Sequence, residues 1–346
     1  MLWFIGLGVS WIKSISEYIR KVIEDSDIVY LESFTSPISK SHEEKIKSLV
    51  RGDFKIAKRW FVEDGQEILR NAQTKKISLL SYGDPYIATT HIELRTRAEI
   101  EKIETRTIHS SSVLTSLVGE SGLQYYKIGR IATIMNDEKS LLTPYNIIYK
   151  NLLQGNHSIL LLEYNQDQDF FLDPKSAIGR LLDVEKEQRR NVLSDETYAI
   201  ITSRIGFDSQ KITSGKFSSL IKTDFGEPPH SIIITGKLHF TESDAVNVLT
   251  KCLDKPIDNS SKIRKISVQM IKKYVPMVKD ALEEIEPHYK NSTEFKDVIE
   301  NAKLYIKDSE IFLEQGKDEL AILSIGYADG LVDSLRIAKG LDPKMW

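Results

Sequence analysis

Ile77-Ser78-Leu79-Leu80-Ser81-Tyr82-Gly83-Asp84-Pro85 is a short apolar run that ends in a turn. Ile77–Leu80 reads as a buried strand because it is short, largely aliphatic and bounded by turn residues. Gly83 allows a sharp turn and Pro85 fixes the backbone after Asp84. Asp84 is therefore expected at the carboxyl edge of a sheet. There its carboxylate could accept hydrogen bonds from ribose hydroxyls or an ammonium group; a plain Asx-type turn is the structural alternative. The following Ala88-Thr89-Thr90-His91 favours a strand or cap over a helix interior, because two adjacent β-branched hydroxyl residues compete with helical hydrogen bonds.

Outward from this turn, strands and helices alternate. Leu2–Leu7, Asp27–Leu31, Phe54–Ala57 and Thr105–Ile108 read as strands, with helical patterns at Ser14–Ile23, Val62–Ala72 and Glu93–Ile100. That alternation predicts an α/β layer with a mostly parallel sheet, in which ligands bind at the carboxyl ends of the strands. From near Ser110 a second α/β set begins. Ile131–Met135, Ile159–Leu162, Tyr198–Ser203 and Ile232–Thr235 read as its strands. Pro174 is suited to open the helix Lys175–Glu187, and Phe217–Thr223 reads as a short helical pattern. Asp254–Ser261 reads as a linker. Beyond it the pattern is wholly helical: Lys262–Glu286 with Pro276 expected to kink it, a helix after an Asn291/Glu294 capping box, and a third from about Asp318 to Lys339. Gly316 and Gly340 are placed as C-terminal stops. Gly326 and Gly330 lie four apart in the third helix, where close helix packing is the expected compensation for about 1 kcal/mol each. Lys262–Lys279 holds six bases and no acid, which reads as a solvated face.

The composition narrows the chemistry. The chain has 346 residues, 41% apolar and 28% charged, with a net charge of −3. A field strong enough to attract bulk nucleic acid is excluded. The single cysteine, Cys252, excludes an intrachain disulfide framework and fits a reducing cytosol. It is read within a lysine-flanked helical stretch with no base beside it, and Gly-x-Ser-x-Gly is absent, so a protein nucleophile is not expected. Seven histidines without i, i+3 or i+4 pairing give no metal-site pattern. No apolar run reaches the roughly 18 residues of a membrane helix. Ile5-Gly6-Leu7-Gly8 lacks the third glycine of a dinucleotide fingerprint, and no P-loop occurs. His109-Ser110-Ser111-Ser112-Val113 offers caps and backbone donors before a helix. The stiff Pro228-Pro229 entry aims His230. Chemistry supplied by a bound cofactor is favoured.

Phe4-Ile5-Gly6-Leu7-Gly8, Gly83-Asp84-Pro85, Ala88-Thr89-Thr90-His91, Glu93-Leu94-Arg95, Phe225-Gly226-Glu227-Pro228-Pro229-His230 and Gly236-Lys237-Leu238-His239 occur in this order. Over about residues 1–253 the chain resembles the archaeal diphthine synthase family, within the tetrapyrrole-methylase-like S-adenosylmethionine methyltransferases. Residues 262–346 look like a separate archaeal helical bundle domain of unknown function. The resemblance implies an α/β fold of two domains, 1–109 and 110–254, with S-adenosyl-L-methionine in the cleft between them. It implies a cytoplasmic homodimer that methylates the amino group of 2-(3-amino-3-carboxypropyl)histidine on elongation factor 2, on the path to diphthamide, without metal or membrane. Carried over position by position, the cofactor contacts are Val9, Asp84, Ile87, Ser112, Val113, Leu162, Ile205 and His230. The departure lies within His109–Ser112, where the family carries a small or proline residue.

No catalytic base is identified. The substrate carboxylate calls for a cation, for which Arg95, Arg204 and Lys237 are the candidates. The rival readings are a tetrapyrrole (precorrin-like) methyltransferase, an rRNA methyltransferase of the same superfamily, and a non-enzymatic binding module. The near-neutral first 253 residues argue against RNA, since phosphate neutralisation needs bases.

Overall fold

The structure, a computed structural model, describes residues 1–35, 39–165, 168, 170–290 and 292–343. It divides into two compact units, Met1–Ile263 and Arg264–Trp346. The first unit opens with a wholly parallel sheet. Its strands are β1 (Leu2–Gly6), β2 (Ile28–Glu32), β3 (Asp53–Ala57), β4 (Ile77–Ser81) and β5 (Thr105–Ile108), in the order β3-β2-β4-β1-β5. Every residue of β1, β2 and β4 is buried. Successive residues of β1 serve two different cores: Leu2 and Phe4 pack with Tyr30, Leu79 and Leu94, whereas Trp3 and Ile5 pack with Val29, Leu31 and Leu80. A strand buried on both faces reads as a continuous apolar run, as these do. Because all five strands point the same way, their carboxyl ends and following turns share one edge.

The second sheet is mixed. It comprises β6 (Ala132–Ile134), β7 (Ser158–Leu162), β10 (Tyr198–Ser203), β11 (Lys211–Lys216), β12 (His230–Ile234) and β13 (Lys251–Cys252), in the order β13-β11-β10-β12-β7-β6. A small hairpin, β8 (Tyr164–Asn165) with β9 (Phe170–Phe171), follows β7. β12 runs antiparallel to β7 and β10, which puts its first residues beside their last: His230 pairs with Ser203 and Ser231 with Leu161. The start of β12 and the ends of β7 and β10 thus meet at one place.

Several local expectations change. The helical stretch before β4 is two helices, Arg59–Asp64 and Gln66–Ala72, split at Gly65. Cys252 lies on β13 rather than a helix, with its thiol against the Tyr198 hydroxyl at 3.4 Å. The segment read as a linker is stitched to the second sheet. Buried Asn259 accepts from the Tyr198 N–H at 2.9 Å and donates to the Tyr198 and Thr235 carbonyls at 2.8 and 2.7 Å. Its Asp, Asn and Ser residues bind local backbone, which their composition alone does not distinguish from a free connection.

The second unit consists of helices Ile266–Ile285, Lys296–Glu314 and Asp318–Ala338 around a core that includes Ile271, Val278, Ile306, Ile325 and Val332. The first helix runs through Pro276. The expected cap Asn291 lies outside the described residues, and the second helix begins after Phe295 without a side-chain cap. Two lysines of the basic stretch are paired: Lys265 Nζ lies 2.9 Å from Asp318 and Lys279 Nζ 2.9 Å from Glu310. Gly326 and Gly330 are exposed, and a Cβ at either would meet nothing within 4 Å. Close helix packing within the unit therefore does not account for them.

Candidate functional site

The carboxyl edge of the parallel sheet and the β7–β10–β12 junction of the second sheet enclose one cavity of about 360 Å³. That is within the range of small-molecule sites. Tyr82, Gly83 and Asp84 enter it after β4, Phe34 and Thr35 after β2, Arg59 after β3, and Ser112 and Val113 after β5. The second sheet contributes Leu161, Leu162, Thr202, Ile205, Pro229 and His230, among others.

The turn after β4 is braced from β1. A Cβ on Gly6 would sit 2.4 Å from the Gly83 carbonyl oxygen, so only glycine lets these two turns touch. The Gly8 N–H donates to the Gly83 carbonyl at 3.1 Å and the Gly83 N–H to the Gly8 carbonyl at 3.2 Å. The two sheets are also locked together here. The Tyr82 hydroxyl is 3.2 Å from the Val9 carbonyl and 3.3 Å from the Ile205 carbonyl. At Gly206, with φ +87°, a Cβ would meet the Val9 carbonyl oxygen at 2.5 Å.

Asp84 is held by donors on both oxygens. Oδ1 accepts from the Tyr86 N–H at 3.0 Å, and Oδ2 from His109 Nδ1 at 2.7 Å and the Ser110 N–H at 3.4 Å. A carboxylate cannot donate, so His109 Nδ1 carries a proton. Ser112 caps the helix Val113–Glu120, accepting from the Leu114 N–H at 3.1 Å. His230 Nε2 faces the Gly226 carbonyl at 3.2 Å, which can only accept, so the proton is on Nε2. Burial lowers the basicity of the ring, leaving it neutral. Its Nδ1 is then a bare acceptor, buried and without a partner among the described residues. An N–H or O–H on a ligand would satisfy it.

Seven of the eight positions expected to contact the cofactor line this cavity: Asp84, Ile87, Ser112, Val113, Leu162, Ile205 and His230. Val9 does not line it. Its carbonyl is taken up by Tyr82 and its N–H donates to Ser111 Oγ at 3.1 Å. The three cations considered for a carboxylate contact lie elsewhere. Arg95 Nε bonds Thr105 Oγ1 at 3.2 Å, Arg204 pairs with Glu227 at 3.0 Å, and Lys237 is not in the lining. Arg59 and the stacked pair Tyr164 and Phe171, with ring centroids 4.5 Å apart, line the cavity without having been singled out. The rule that ligands meet residues just after parallel strands would have pointed to Arg59, two residues beyond β3.

Glu32, the last residue of β2, is buried under the cavity wall. Its carboxyl accepts from the Phe34 and Thr35 N–H groups at 3.3 and 3.2 Å and from the Thr35 hydroxyl. Burial outweighs these donors and pushes its pKa from the ordinary 4.5 up to about 7. A raised folded-state pKa contributes stability below the unfolded value, and that stability is lost as pH rises through the folded one. Glu32→Gln imitates the protonated side chain. It should melt with the wild type at pH 4 and increasingly above it toward pH 8, in thermal unfolding followed across that range. A variant that melts below the wild type at pH 8 would contradict the assignment.

Residues 1–221 match the family of Tetrapyrrole (Corrin/Porphyrin) Methylases, and residues 273–341 match a family described as a protein of unknown function, DUF357. The chain is 34% identical over 254 residues to a diphthine synthase of Methanocaldococcus jannaschii, covering 72% of this chain and 98% of the relative. To the diphthine synthase of Methanothermobacter thermautotrophicus it is 35% identical over 246 residues, 70% of this chain and 93% of the relative. A crystal structure of diphthine synthase superposes with a TM-score of 0.65 at 28% identity, over 72% of this chain and 96% of that one.

Proposed function

The chain belongs to the tetrapyrrole (corrin/porphyrin) methylase family, in its diphthine synthase branch, and from that premise we propose how its cavity serves methyl transfer. It is an S-adenosyl-L-methionine-dependent methyltransferase of diphthamide biosynthesis. The acceptor we assign is the amino group of 2-(3-amino-3-carboxypropyl)histidine on elongation factor 2. Residues 1–109 and 110–254 act as the two lobes of each subunit, with the cofactor between them, and the subunits form a cytoplasmic homodimer in this reading.

The observation that carries it is the composition of the cavity wall. Asp84 and the unmatched Nδ1 of His230 offer hydrogen-bond acceptors, beside an apolar surface of Ile87, Val113, Leu161, Leu162 and Ile205. This set fits a nucleoside with a sulfonium side chain, which needs acceptors for its hydroxyl and amino groups and an apolar bed for the rest. When bound, S-adenosyl-L-methionine supplies an electrophilic methyl group on a positively charged sulfur. The chain's own residues then bind and orient. Asp84 is fixed by three donors and does not reorganise. The apolar wall excludes water, which favours a step that disperses positive charge. The two locked sheets hold donor and acceptor sites at fixed separation, the alignment from which most of the acceleration of such a transfer arises. The stacked rings of Tyr164 and Phe171 offer π faces to an ammonium group.

The test is transfer of labelled methyl from S-adenosyl-L-methionine to purified elongation factor 2. Label is expected on factor that carries the aminocarboxypropyl histidine and absent from factor that lacks it. Label on RNA or on a tetrapyrrole, with none on the factor, would reject the reading.

A further inference from the structure

We propose that Arg59 anchors the carboxylate of the side chain being methylated. The inference rests on the reading above, in which the acceptor carries an amino and a carboxylate group on one carbon. Fixing the carboxylate of such a group fixes the amine beside it. Of the described residues that line the cavity, Arg59 alone carries a guanidinium or ammonium group.

Its placement follows from the backbone. Arg59 is the first residue of the helix Arg59–Asp64, just past β3, and its side chain is 61% exposed. A group that arrives on the surface of another protein meets such a side chain at the rim. The guanidinium carbon lies 5.3 Å from the centroid of the Phe34 ring. Contact with the ring steadies the cation while N–H groups remain for a two-pronged contact with a carboxylate. The ion pair it makes with Glu63 is long, 3.9 Å, between exposed side chains four apart on one helix, and such a pair is readily given up.

The strand order argues that this cation serves the acceptor and not the donor. Across the carboxyl edge the order β3-β2-β4-β1-β5 sets Arg59 at one end. Asp84 follows β4, and Ser112 and Val113 follow β5, with Phe34 and Thr35 after β2 between them and Arg59. The donor positions carried by this sheet therefore lie on the far side of Phe34 from Arg59. The consequence is a substrate class: an α-amino acid group with a free carboxylate, and not its amide.

The experiment compares Arg59→Gln and Arg59→Lys with the wild type in the full chain. It measures kcat and KM for modified elongation factor 2 and the affinity for S-adenosylhomocysteine by calorimetry. Arg59→Gln is expected to raise KM for the factor about tenfold to a hundredfold, the size of a charge-assisted contact, with homocysteine-product affinity within about twofold of wild type. Arg59→Lys should fall between them, since an ammonium keeps the charge but not the two-pronged geometry. Unchanged kcat/KM in Arg59→Gln would overturn the proposal. So would a loss of S-adenosylhomocysteine affinity that accounts for the whole defect, which would give Arg59 to the donor. No transfer by the wild type to any form of the factor would remove the functional reading itself, and this inference with it.

Discussion

Asp84→Ala is expected to cut kcat/KM for methyl transfer about a hundredfold or more while the protein remains folded. Three donors converge on this carboxylate: the Tyr86 and Ser110 N–H groups and His109 Nδ1, at 3.0, 3.4 and 2.7 Å. The side chain is only 9% exposed. Alanine leaves the two backbone donors without an acceptor, at about 1–3 kcal/mol each. The turn between Gly83 and Ile87 then has reason to move, and a shift near 1 Å in a positioning element costs about 10²-fold in rate. Asp84→Asn should be milder. An Asn oxygen can keep the Tyr86 N–H while its amide faces His109, whose exposed ring can take up the other tautomer and accept. The Ser110 N–H alone is then opposed by a donor. Initial rates over a range of donor concentrations check the ranking, wild type above Asn above Ala. Alanine at wild-type rates would exclude Asp84 from the site.

The second large effect is on stability. Glu242 is buried and its carboxylate accepts from the His239 N–H at 2.8 Å, the Gln124 N–H at 2.9 Å, His157 Nε2 at 3.1 Å and the Lys127 ammonium. His157 is fully buried, and its Nδ1 accepts from the Gly236 N–H at 2.8 Å, so the ring is neutral with its proton on Nε2. Burial alone would raise the Glu242 carboxyl, but Lys127 and the two backbone donors outweigh it and hold it below the ordinary range. Glu242→Ala strands a cation and several donors. Breaking such a buried pair costs about 3–5 kcal/mol. The melting transition of the first unit should fall by about 10 °C, read by calorimetry, with the second unit's transition unmoved. The same network sets an acid limit. Burial lowers the His157 pKa, so below its ordinary 6.5 the unfolded chain takes up a proton that the folded ring refuses, and stability declines. Glu242 adds to that loss as pH falls through its lowered value.

These residues also show where reading the chain stops. The three inner strands β1, β2 and β4 were legible because burial on both faces leaves apolar runs, as in Ile77–Leu80. The turn at Asp84 was legible because Gly83 and Pro85 restrict the backbone around it. The helix Leu142–Leu153 was not: seven of its twelve residues, from Pro144 to Leu152, are buried, and its polar stripe is reduced to Thr143, Asn146 and Lys150. The strand Lys211–Lys216 was missed because Thr213, Ser214 and Gly215 dilute its apolar signal. Arg59 sits in Lys58-Arg59-Trp60, which reads as an ordinary surface helix start. Only the order of the strands brings it to the cavity that holds Asp84. The glycines of the third helix carry the opposite lesson, since packing was the natural inference and the exposed face refutes it.

The central claim is that one cavity, bounded by Asp84 and His230 on facing sheets, holds the sulfonium donor. Calorimetric titration of S-adenosylhomocysteine into the full chain tests it most directly. The account predicts saturable binding at one site per chain, strongly weakened in Asp84→Ala. An absence of binding by the folded wild-type chain, or binding untouched by loss of Asp84, would contradict it.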